Sequence, residues 1–272
     1  MLLKNRLREL LETRSLSVGA FITMTDSTAV DVAGAAGYDF VLLDAEHAAL
    51  TPETIANHVR AARARNLGTL VRVPEGDKGY IQRVLDVGVE GIEVPHVKTA
   101  AAARWAVSAV RFPPEGSRGV FTKGVAANYG AHGYATPGEA MAAINAQVVC
   151  NVIIEDVAGA ENIDEIAAVP GVDFITFGIN DYSGSVGVPG QIDHPSVREA
   201  MGKVLAACRR ENIPAHVTGT AAPDSVEAMH ALGIKVLTSA SDAMCLLSGM
   251  RTDAQQSRRG SDPVLRETEG IA

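Results

Sequence analysis

The amino-acid sequence predicts an α/β protein whose eight parallel strands close into a (β/α)8 barrel of the TIM type. One pattern recurs along the chain. A helical stretch ends at a glycine, one apolar and one polar residue follow, and an apolar run begins, with copies at Gly37, Gly88, Gly171 and Gly233. Glycine suits the left-handed turn that ends a helix, and a continuous apolar run is typical of a strand buried on both faces of a parallel sheet. The repetition therefore indicates alternating helices and strands.

Counting the apolar runs gives eight predicted strands with helical patterns between them. They are expected at about residues 17–24, 39–45, 69–74, 91–96, 148–155, 173–178, 214–218 and 235–240. In one of the predicted helices Thr51 is a suitable N-cap and Pro52 suits the first helical position. No G-x-G-x-x-G motif follows the first strand, so a closed barrel is favoured over an open nucleotide-binding sheet.

Length and spacing predict one domain. The 272 residues, 47% of them hydrophobic, can form one large core, and barrels of about 250 residues are commonly single domains. We therefore expect one catalytic barrel over residues 1–250. About fifty residues separate the fourth and fifth strands, and long insertions of this kind often build active sites or oligomer contacts. Residues 251–272 are polar and without periodicity, so a mobile tail is expected, with a docked or exchanged segment as the alternative.

Charge and cysteine usage narrow the partners. The net charge is −8 and no basic stripe is visible, so nucleic acid and anionic membranes are poor partner hypotheses. Charges interrupt residues 1–15 every few positions, which excludes a signal peptide or a spanning helix there. Cys150, Cys208 and Cys245 are far apart and each lies in an apolar run. They are expected to be buried, reduced thiols of a cytoplasmic protein.

Polar side chains collect where the predicted strands end. In a barrel of this type, catalytic groups come from the C-terminal ends of the strands. The residues at these positions are Asp44, Glu46 and His47 after the second strand, Arg72 in the third, Glu155 and Asp156 after the fifth, and Asn180 and Asp181 after the sixth. An arginine, a histidine and several acids on one rim predict a functional site.

Each of these residues also has a purely structural interpretation. Asp156 and Asp181 could each cap the helix that follows. His47 could be a packed or surface histidine, and Arg72 could belong to a structural ion pair, since a charge inside an apolar run needs an anionic partner. The convergence of all of them on one edge, rather than any single residue, favours function.

The chemistry of the candidate residues favours a divalent metal. Glu155 and Asp181 are hard oxygen donors and no cluster of cysteine and histidine accompanies them, which favours Mg²⁺ or Mn²⁺. Two protein ligands leave positions at which a 2-oxo acid could chelate the ion, which would then stabilise an enolate. A lysine Schiff base is the metal-free route to the same enolate. It is disfavoured because the only strand lysine, Lys235, lies at a strand start.

Six segments together resemble the HpcH/HpaI family of class II pyruvate aldolases, which is related to citrate lyase β-subunit-like enzymes. The segments are LLDAEHA, VRVP, VLDVGVEGIEVP, RFPPEGSRG, VIIED and GINDYSGSVG, in this order. The similarity extends from about residue 5 to 250. The D-x-E-H and R-[YF]-P-P-x-G-x-R-G stretches are fairly specific, whereas G-x-x-D-[LY]-S is shared with citrate-lyase and malyl-CoA-lyase relatives. The resemblance implies a TIM barrel like those of phosphoenolpyruvate and pyruvate enzymes.

The resemblance also implies a role for each matched position. It implies that Glu155 and Asp181 bind Mg²⁺, Mn²⁺ or Co²⁺, that His47 is the general base acting through a metal-bound water, and that Arg72 stabilises the enolate. It further implies that Asp44 and Glu46 are supporting carboxylates, that the backbone of Gly178, Ile179 and Asn180 holds the pyruvate carboxylate, and that Asp86 is an acid that reaches a neighbouring subunit's site.

The resemblance further implies an assembly, typically a hexamer with an exchanged C-terminal helix. The position of Asp86 is unusual apart from the resemblance. It precedes Gly88 in the last turn of a predicted helix, where a negative charge interacts unfavourably with the helix dipole. The alternative is an exposed acid at a helix end.

The chain departs from the family pattern at four positions. Ile153 stands where many members carry a glutamine that contacts substrate, and Ile179 stands in place of a proline. Glu93 and His96 end the fourth strand, where apolar residues, methionine or glutamine are commoner. These departures concern substrate choice, while the expected metal ligands are intact.

The leading hypothesis is therefore a metal-dependent aldolase that cleaves a 4-hydroxy-2-oxo acid to pyruvate, or a similar 2-oxo acid, and an aldehyde. Its small-molecule partners are the 2-oxo acid and the aldehyde, and the protein is expected to be a homo-oligomer. The alternatives are a CoA-ester lyase of the citryl or malyl type, for which no nucleotide-binding surface is evident, and a catalytically inactive metal-binding barrel.

Overall fold

The computed structural model describes residues 4–131, 133–219, 227–228 and 231–261. Its strands form one closed barrel in chain order, with parallel pairing between all neighbours including β1 and β8. They are β1 (Ser17–Ile22), β2 (Phe40–Asp44), β3 (Gly68–Arg72), β4 (Gly91–Val94), β5 (Val149–Ile154), β6 (Phe174–Phe177), β7 (Ala215–Thr218) and β8 (Ile234–Ser241). The predicted (β/α)8 barrel is confirmed, and each observed strand overlaps a predicted one.

Helices cover the outside of the barrel and its N-terminal end. They are α1 (Arg6–Thr13), α2 (Thr28–Ala35), α3 (Pro52–Ala64), α4 (Lys78–Asp86), α5 (Ala100–Val110), α6 (Pro137–Gln147), α7 (Val157–Glu161), α8 (Ile163–Ala167), α9 (Ile179–Ser185), α10 (Pro195–Glu211) and α11 (Asp242–Ser261), with a 3₁₀ segment at Val125–Gly130. The predicted cap of α3 is present, because Thr51 and Thr54 form a capping box ahead of Pro52.

Helix α1 covers the N-terminal end of the barrel and fills its interior there. Leu7 and Leu10 are fully buried against inward-facing side chains of the strands, among them Phe40 and Phe174. Truncating one of these aromatic residues to alanine would cost about 3–5 kcal/mol. Because this end is filled, a ligand can enter the barrel only from the C-terminal ends of the strands.

Acidic residues secure the same N-terminal end, and three of them are the polar residue of the recurring glycine pattern. Asp39 accepts the backbone N–H of Val18 at 3.0 Å. Asp173 accepts the N–H of Cys150 at 2.7 Å, and Glu90 accepts that of Thr69 at 3.1 Å. Each carboxylate therefore joins the start of one strand to the strand before it.

The C-terminal segment differs from the expectation. Helix α11 extends to Ser261, so residues 251–261 continue a helix and the predicted boundary at residue 250 falls inside it. These residues lack apolar periodicity but include alanine, glutamine and arginine, which favour helix whatever they face. Residues 262–272 lie outside the described part of the chain. No helix in the described ranges is long and apolar enough to cross a membrane.

The cysteines agree with the expectation at two of three positions. All three are free thiols, and Cys150 and Cys208 are buried, where burial raises the pKa of each thiol to about 12. Cys245 is exposed, contrary to the expectation. Its apolar run lies on α11, whose described side chains past Asp242 face solvent in this chain.

Candidate active site

A cavity of about 210 Å³ lies among the C-terminal ends of the strands. Its polar lining is Arg72, Glu93, Glu155, Thr176, Asn180, Asp181 and Thr218, and the remainder is Phe21, Leu42, Ile153, Gly178 and Ile179. Six of the residues predicted for the site, Arg72, Glu155, Gly178, Ile179, Asn180 and Asp181, therefore line one cavity.

Arg72 is fixed between two of the predicted carboxylates. It lies beside Asp44 across the β2–β3 pair, and its Nε donates to Asp44 Oδ1 at 2.9 Å and lies 3.3 Å from Glu46 Oε2. Burial alone would lower the pKa of Arg72, but the hydrogen bond and charge of Asp44, with the charges of Glu93 and Glu46, raise it overall. The structural ion pair thus exists, and it keeps a charged guanidinium facing the cavity.

Glu155 follows β5 and is 5% exposed. Successive side chains along a strand point to opposite faces, so residues 151, 153 and 155 all point into the barrel. Glu155 therefore faces the cavity together with Ile153. Its Oε1 accepts one hydrogen bond from the backbone N–H of His96 at 2.6 Å, and the imidazole Nδ1 of His96 lies 2.9 Å from the same oxygen. Burial raises the pKa of Glu155, and the nearby charges of Asp181 and Glu46 raise it further, while His96 opposes the shift. Its negative charge is therefore only partly compensated.

Asp181 and Asp156 have different surroundings. Asp156 caps α7 by accepting the N–H of Gly159 at 2.8 Å and pairs with Lys98 at 3.0 Å, so its structural interpretation is confirmed. Asp181 lies in the first turn of α9, where no side-chain cap is present, and it lines the cavity. The turn before it needs glycine, because a Cβ at Gly178 would lie 2.7 Å from the Cβ of Glu155.

His47 lies outside the cavity lining. Its side chain is 66% exposed and its Nε2 is 3.8 Å from Glu46 Oε2. Asp44 Oδ1 accepts the backbone N–H groups of Glu46 and His47 at 3.1 and 3.4 Å. The loop after β2 is therefore tied to the same carboxylate that holds Arg72, with His47 at the rim.

Asp86 does not join the site within this chain. It ends α4, and its Oδ1 accepts a hydrogen bond from Arg118 Nη2 at 2.7 Å. Arg118 is buried over the ring of Phe112, 4.4 Å from the centroid. The RFPPEGSRG segment thus supplies the cation that pairs with Asp86.

A buried polar network below the cavity was not predicted. It consists of Glu93, Asn151, Thr176, His216 and Thr238, each at most 2% exposed. Glu93 Oε1 accepts from Asn151 at 2.6 Å and from the hydroxyl of Thr176 at 2.8 Å. Because the hydroxyl of Thr176 donates its proton to Glu93, its oxygen accepts the Nδ1–H of His216 at 2.7 Å. Period-two alternation along the strands could have placed these residues inside the barrel.

Two carboxylates of the cavity form a donor set suited to a divalent metal. No group of three or more His, Cys, Asp or Glu side chains in the described part of the chain has the geometry of a metal site. Glu155 and Asp181 nevertheless line one cavity and both are hard oxygen donors, and burial, with the nearby charges of Asp181 and Glu46, raises the pKa of Glu155. Such a pair fits Mg²⁺ or Mn²⁺, whose remaining positions are commonly filled by water and substrate.

Sequence comparisons find a matching family model and similar enzymes. Residues 17–248 match the model of the HpcH/HpaI aldolase/citrate lyase family. The chain is 31% identical over 224 residues to 5-keto-4-deoxy-D-glucarate aldolase from Klebsiella pneumoniae, covering 82% of this chain and 84% of the relative. It is 32% identical over 247 residues to 2-keto-3-deoxy-L-rhamnonate aldolase from Escherichia coli, covering 89% of each.

The fold of the chain is also similar to that of a solved structure. The HpcH/HpaI aldolase from Desulfitobacterium hafniense superimposes with a TM-score of 0.84 at 30% identity, covering 93% of this chain and 96% of that one. The expected family is therefore confirmed. The chain belongs to the HpcH/HpaI aldolase/citrate lyase family and is an aldolase, a carbon–carbon lyase.

Proposed function

We propose that this aldolase depends on a divalent metal and reversibly cleaves a 4-hydroxy-2-oxo acid to pyruvate, or a similar 2-oxo acid, and an aldehyde. One observation carries the proposal: Arg72, Glu155 and Asp181 line the same cavity at the C-terminal ends of the strands. The relatives' names, which describe oxo-acid aldolases, support the class of substrate.

Glu155 and Asp181 would hold the ion, which we propose to be Mg²⁺, Mn²⁺ or Co²⁺. When bound, it would supply Lewis-acid polarisation of the keto group and offset negative charge on the substrate. The acids around Arg72 support this assignment, because the buried carboxylates of Asp44, Glu93 and Glu155 outnumber the one arginine among them.

The remaining steps are assigned to the chain's own residues. We assign His47 as the base that removes the proton of the C4 hydroxyl. The bond between C3 and C4 then breaks, the aldehyde forms at C4, and the electron pair moves onto the 2-oxo acid as an enolate. Arg72 offsets the charge on the keto oxygen, and return of a proton to C3 completes the reaction.

Supporting roles follow from the contacts of these groups. Asp44 fixes Arg72 through Nε, and Glu46 lies near both Arg72 and His47. We assign the backbone of Gly178, Ile179 and Asn180, which line the cavity, to the carboxylate of the 2-oxo acid. Ile153 makes the neighbouring wall apolar where a glutamine amide would be polar.

We also propose a homo-oligomer, a hexamer as in the typical family member, in which α11 is exchanged between subunits and Asp86 approaches a neighbour's site. Apolar residues of α11 support the exchange, since Met244, Leu247 and Met250 are each more than half exposed. An apolar groove of about 520 Å³ between α2 and the start of α11 offers a complementary surface. Light scattering of the intact chain would measure the mass. The free thiols are in keeping with a cytoplasmic location, which we include in the proposal.

Exchange of the methyl protons of pyruvate with D2O, followed by NMR, tests the proposed chemistry without knowledge of the acceptor aldehyde. We expect exchange with Mn²⁺ or Mg²⁺, loss of exchange in EDTA, and recovery when metal is restored. Arg72→Met should lower the exchange rate strongly at saturating metal. Metal-independent exchange, or no exchange in the intact protein, would contradict the proposal.

A further inference from the structure

The backbone at His96 adopts a conformation that side chains rarely favour. Its φ is 57°, in the left-handed region, two residues after β4 ends. A non-glycine residue there costs on the order of 1 kcal/mol, and such strain is concentrated at functional sites. The turn directs both the backbone N–H and the imidazole Nδ1 of His96 to the same atom, Glu155 Oε1, at 2.6 and 2.9 Å.

His96 also reaches a second acid of the site. Its Nε2 lies 3.3 Å from Glu46 Oε1, and the other oxygen of Glu46 lies 3.3 Å from Arg72. The imidazole therefore spans the carboxylates that follow β2 and β5. A residue held at both ends in this way limits the rotation of the Glu155 carboxylate.

The two contacts with His96 distinguish the oxygens of Glu155. Oε1 accepts the backbone N–H and lies beside the imidazole Nδ1, whereas Oε2 is directed towards Gly178, where a Cβ would lie 3.0 Å away. Gly178 opens the turn that carries Asp181. Oε2 is consequently the oxygen that remains for a cation between Glu155 and Asp181.

One-oxygen binding has consequences for the choice of ion. Ca²⁺ takes six to eight oxygens and often binds a carboxylate through both of its oxygens, whereas Mg²⁺ requires near-octahedral geometry with single oxygens. Mn²⁺ also suits six oxygen ligands. A carboxylate with one oxygen already engaged suits the small octahedral ions.

We propose that His96 is a positioning residue that makes Glu155 a one-oxygen ligand and thereby favours small octahedral dications over Ca²⁺. The inference rests on the proposed metal site. His96 acts through Glu155 and is not itself a ligand, because its Nδ1 and Nε2 lie 2.9 and 3.3 Å from carboxylate oxygens of Glu155 and Glu46.

Dissociation constants for Mn²⁺ and Ca²⁺, measured by calorimetry on metal-stripped protein, test the proposal. His96→Gly keeps the left-handed turn and the backbone N–H but removes the imidazole. We expect Mn²⁺ affinity to fall about tenfold and Ca²⁺ affinity to fall less, so that the Mn²⁺/Ca²⁺ preference narrows. His96→Asn, which tolerates the left-handed turn and retains an amide donor, should keep more of the preference. His194→Ser, which removes a histidine at the start of α10 and retains a helix cap, is the matched control.

Three results would overturn the inference. The first is an unchanged Mn²⁺/Ca²⁺ preference in His96→Gly whose metal-free melting temperature matches that of the wild type. The second is a directly bonded nitrogen in the pulsed EPR spectrum of the Mn²⁺ protein that disappears in His96→Gly, which would make His96 a ligand. The third is the absence of any Mn²⁺ binding in the wild type, which would remove the proposed metal site and the inference with it.

Discussion

Acidic residues occur at both ends of the barrel, and the comparison of Glu90 with Glu155 shows how differently they are used. At the N-terminal end Glu90 accepts three backbone N–H groups, from Arg6 at 3.1 Å, Leu7 at 3.0 Å and Thr69 at 3.1 Å. At the C-terminal end Glu155 accepts from one residue, His96, and faces a cavity that it shares with Asp181.

Burial raises the pKa of both carboxyl groups, but the other influences differ in sign. Around Glu90 the backbone donors and Arg63 all oppose the rise in pKa. Around Glu155 the charges of Asp181 and Glu46 add to it, and only His96 opposes it. An acid surrounded by donors stabilises the fold, whereas an acid placed beside further acids has a charge that a cation can neutralise.

The largest expected effect is a loss of activity caused by a substitution at the C-terminal end of the barrel. Glu155→Gln should lower the rate of metal-dependent pyruvate proton exchange about a thousandfold, because the amide has no charge with which to hold the ion. Its metal-free melting temperature should be unchanged or higher, since one of several adjacent negative charges is removed. NMR exchange rates and thermal unfolding in EDTA measure the two quantities.

Asp156→Asn is the matched control for that variant. Asp156 is the adjacent carboxylate, and asparagine retains the helix cap that it provides. It should keep most of the activity. Equal loss of activity in the two variants would mean that the comparison does not distinguish catalytic from structural acids.

The second effect is on stability at the opposite end. Glu90→Ala leaves three partly buried backbone N–H groups without this acceptor and should lower the free energy of unfolding by about 3 kcal/mol. Urea unfolding measures the loss, and activity per folded molecule should be retained. Glu12→Ala, which removes an exposed acid from α1, should change the free energy of unfolding by less than about 0.5 kcal/mol. A similar loss in both variants would contradict the role given to Glu90.

Sequence patterns predicted the fold well because the barrel repeats a local signal. The glycine that ends a helix and the apolar run after it are adjacent in the chain, so Gly37, Gly88, Gly171 and Gly233 mark strand starts without knowledge of tertiary contacts. The carboxylates at the carboxyl ends of strands were also predictable. Parallel strands bring those ends to one edge, and Glu155 and Asp181 follow from chain position alone.

Side-chain direction in the loops was not predictable to the same degree. His47 comes from a turn that leaves it at the rim, and Asp86 finds its partner Arg118 32 residues further on. The contact between His96 and Glu155 spans 59 residues and depends on a left-handed backbone turn. No local pattern specifies such a pairing, because the geometry is set by how β4 and β5 lie side by side.

The third effect concerns the close contact between Gly178 and Glu155. Gly178→Ala places a methyl group 2.7 Å from Glu155 Cβ and 3.0 Å from Oε2, so the carboxylate or the turn carrying Asp181 must shift. A displacement approaching 1 Å should lower activity about tenfold to a hundredfold, with a weaker affinity for Mn²⁺. Gly184→Ala on α9, where a Cβ meets nothing within 4 Å, is the control. Equal activity in the two variants would show that the approach is not needed.

The smallest expected effect is a pH dependence at Glu46. Burial raises the pKa of this carboxyl group above 4.5, Asp44 adds to the rise, and Arg72, His47 and His96 oppose it. Between the two pKa values the folded protein binds more protons than the unfolded chain, so metal-free stability falls as the pH rises from about 4.5 through the raised pKa.

Glu46→Gln should remove the part of this pH-dependent loss of stability that Glu46 causes. The variant gains stability relative to the wild type as the pH increases, by less than about 1 kcal/mol because the group is partly exposed and Arg72 offsets part of the effect of burial. Denaturant unfolding in EDTA between about pH 4.5 and 7 gives the difference, and Glu53→Gln, an exposed acid on α3, should run parallel to the wild type. A variant that instead loses stability relative to the wild type with rising pH would show that Arg72 and the two histidines outweigh burial at Glu46. This acid would then resemble the well-compensated carboxylates at the N-terminal end of the barrel.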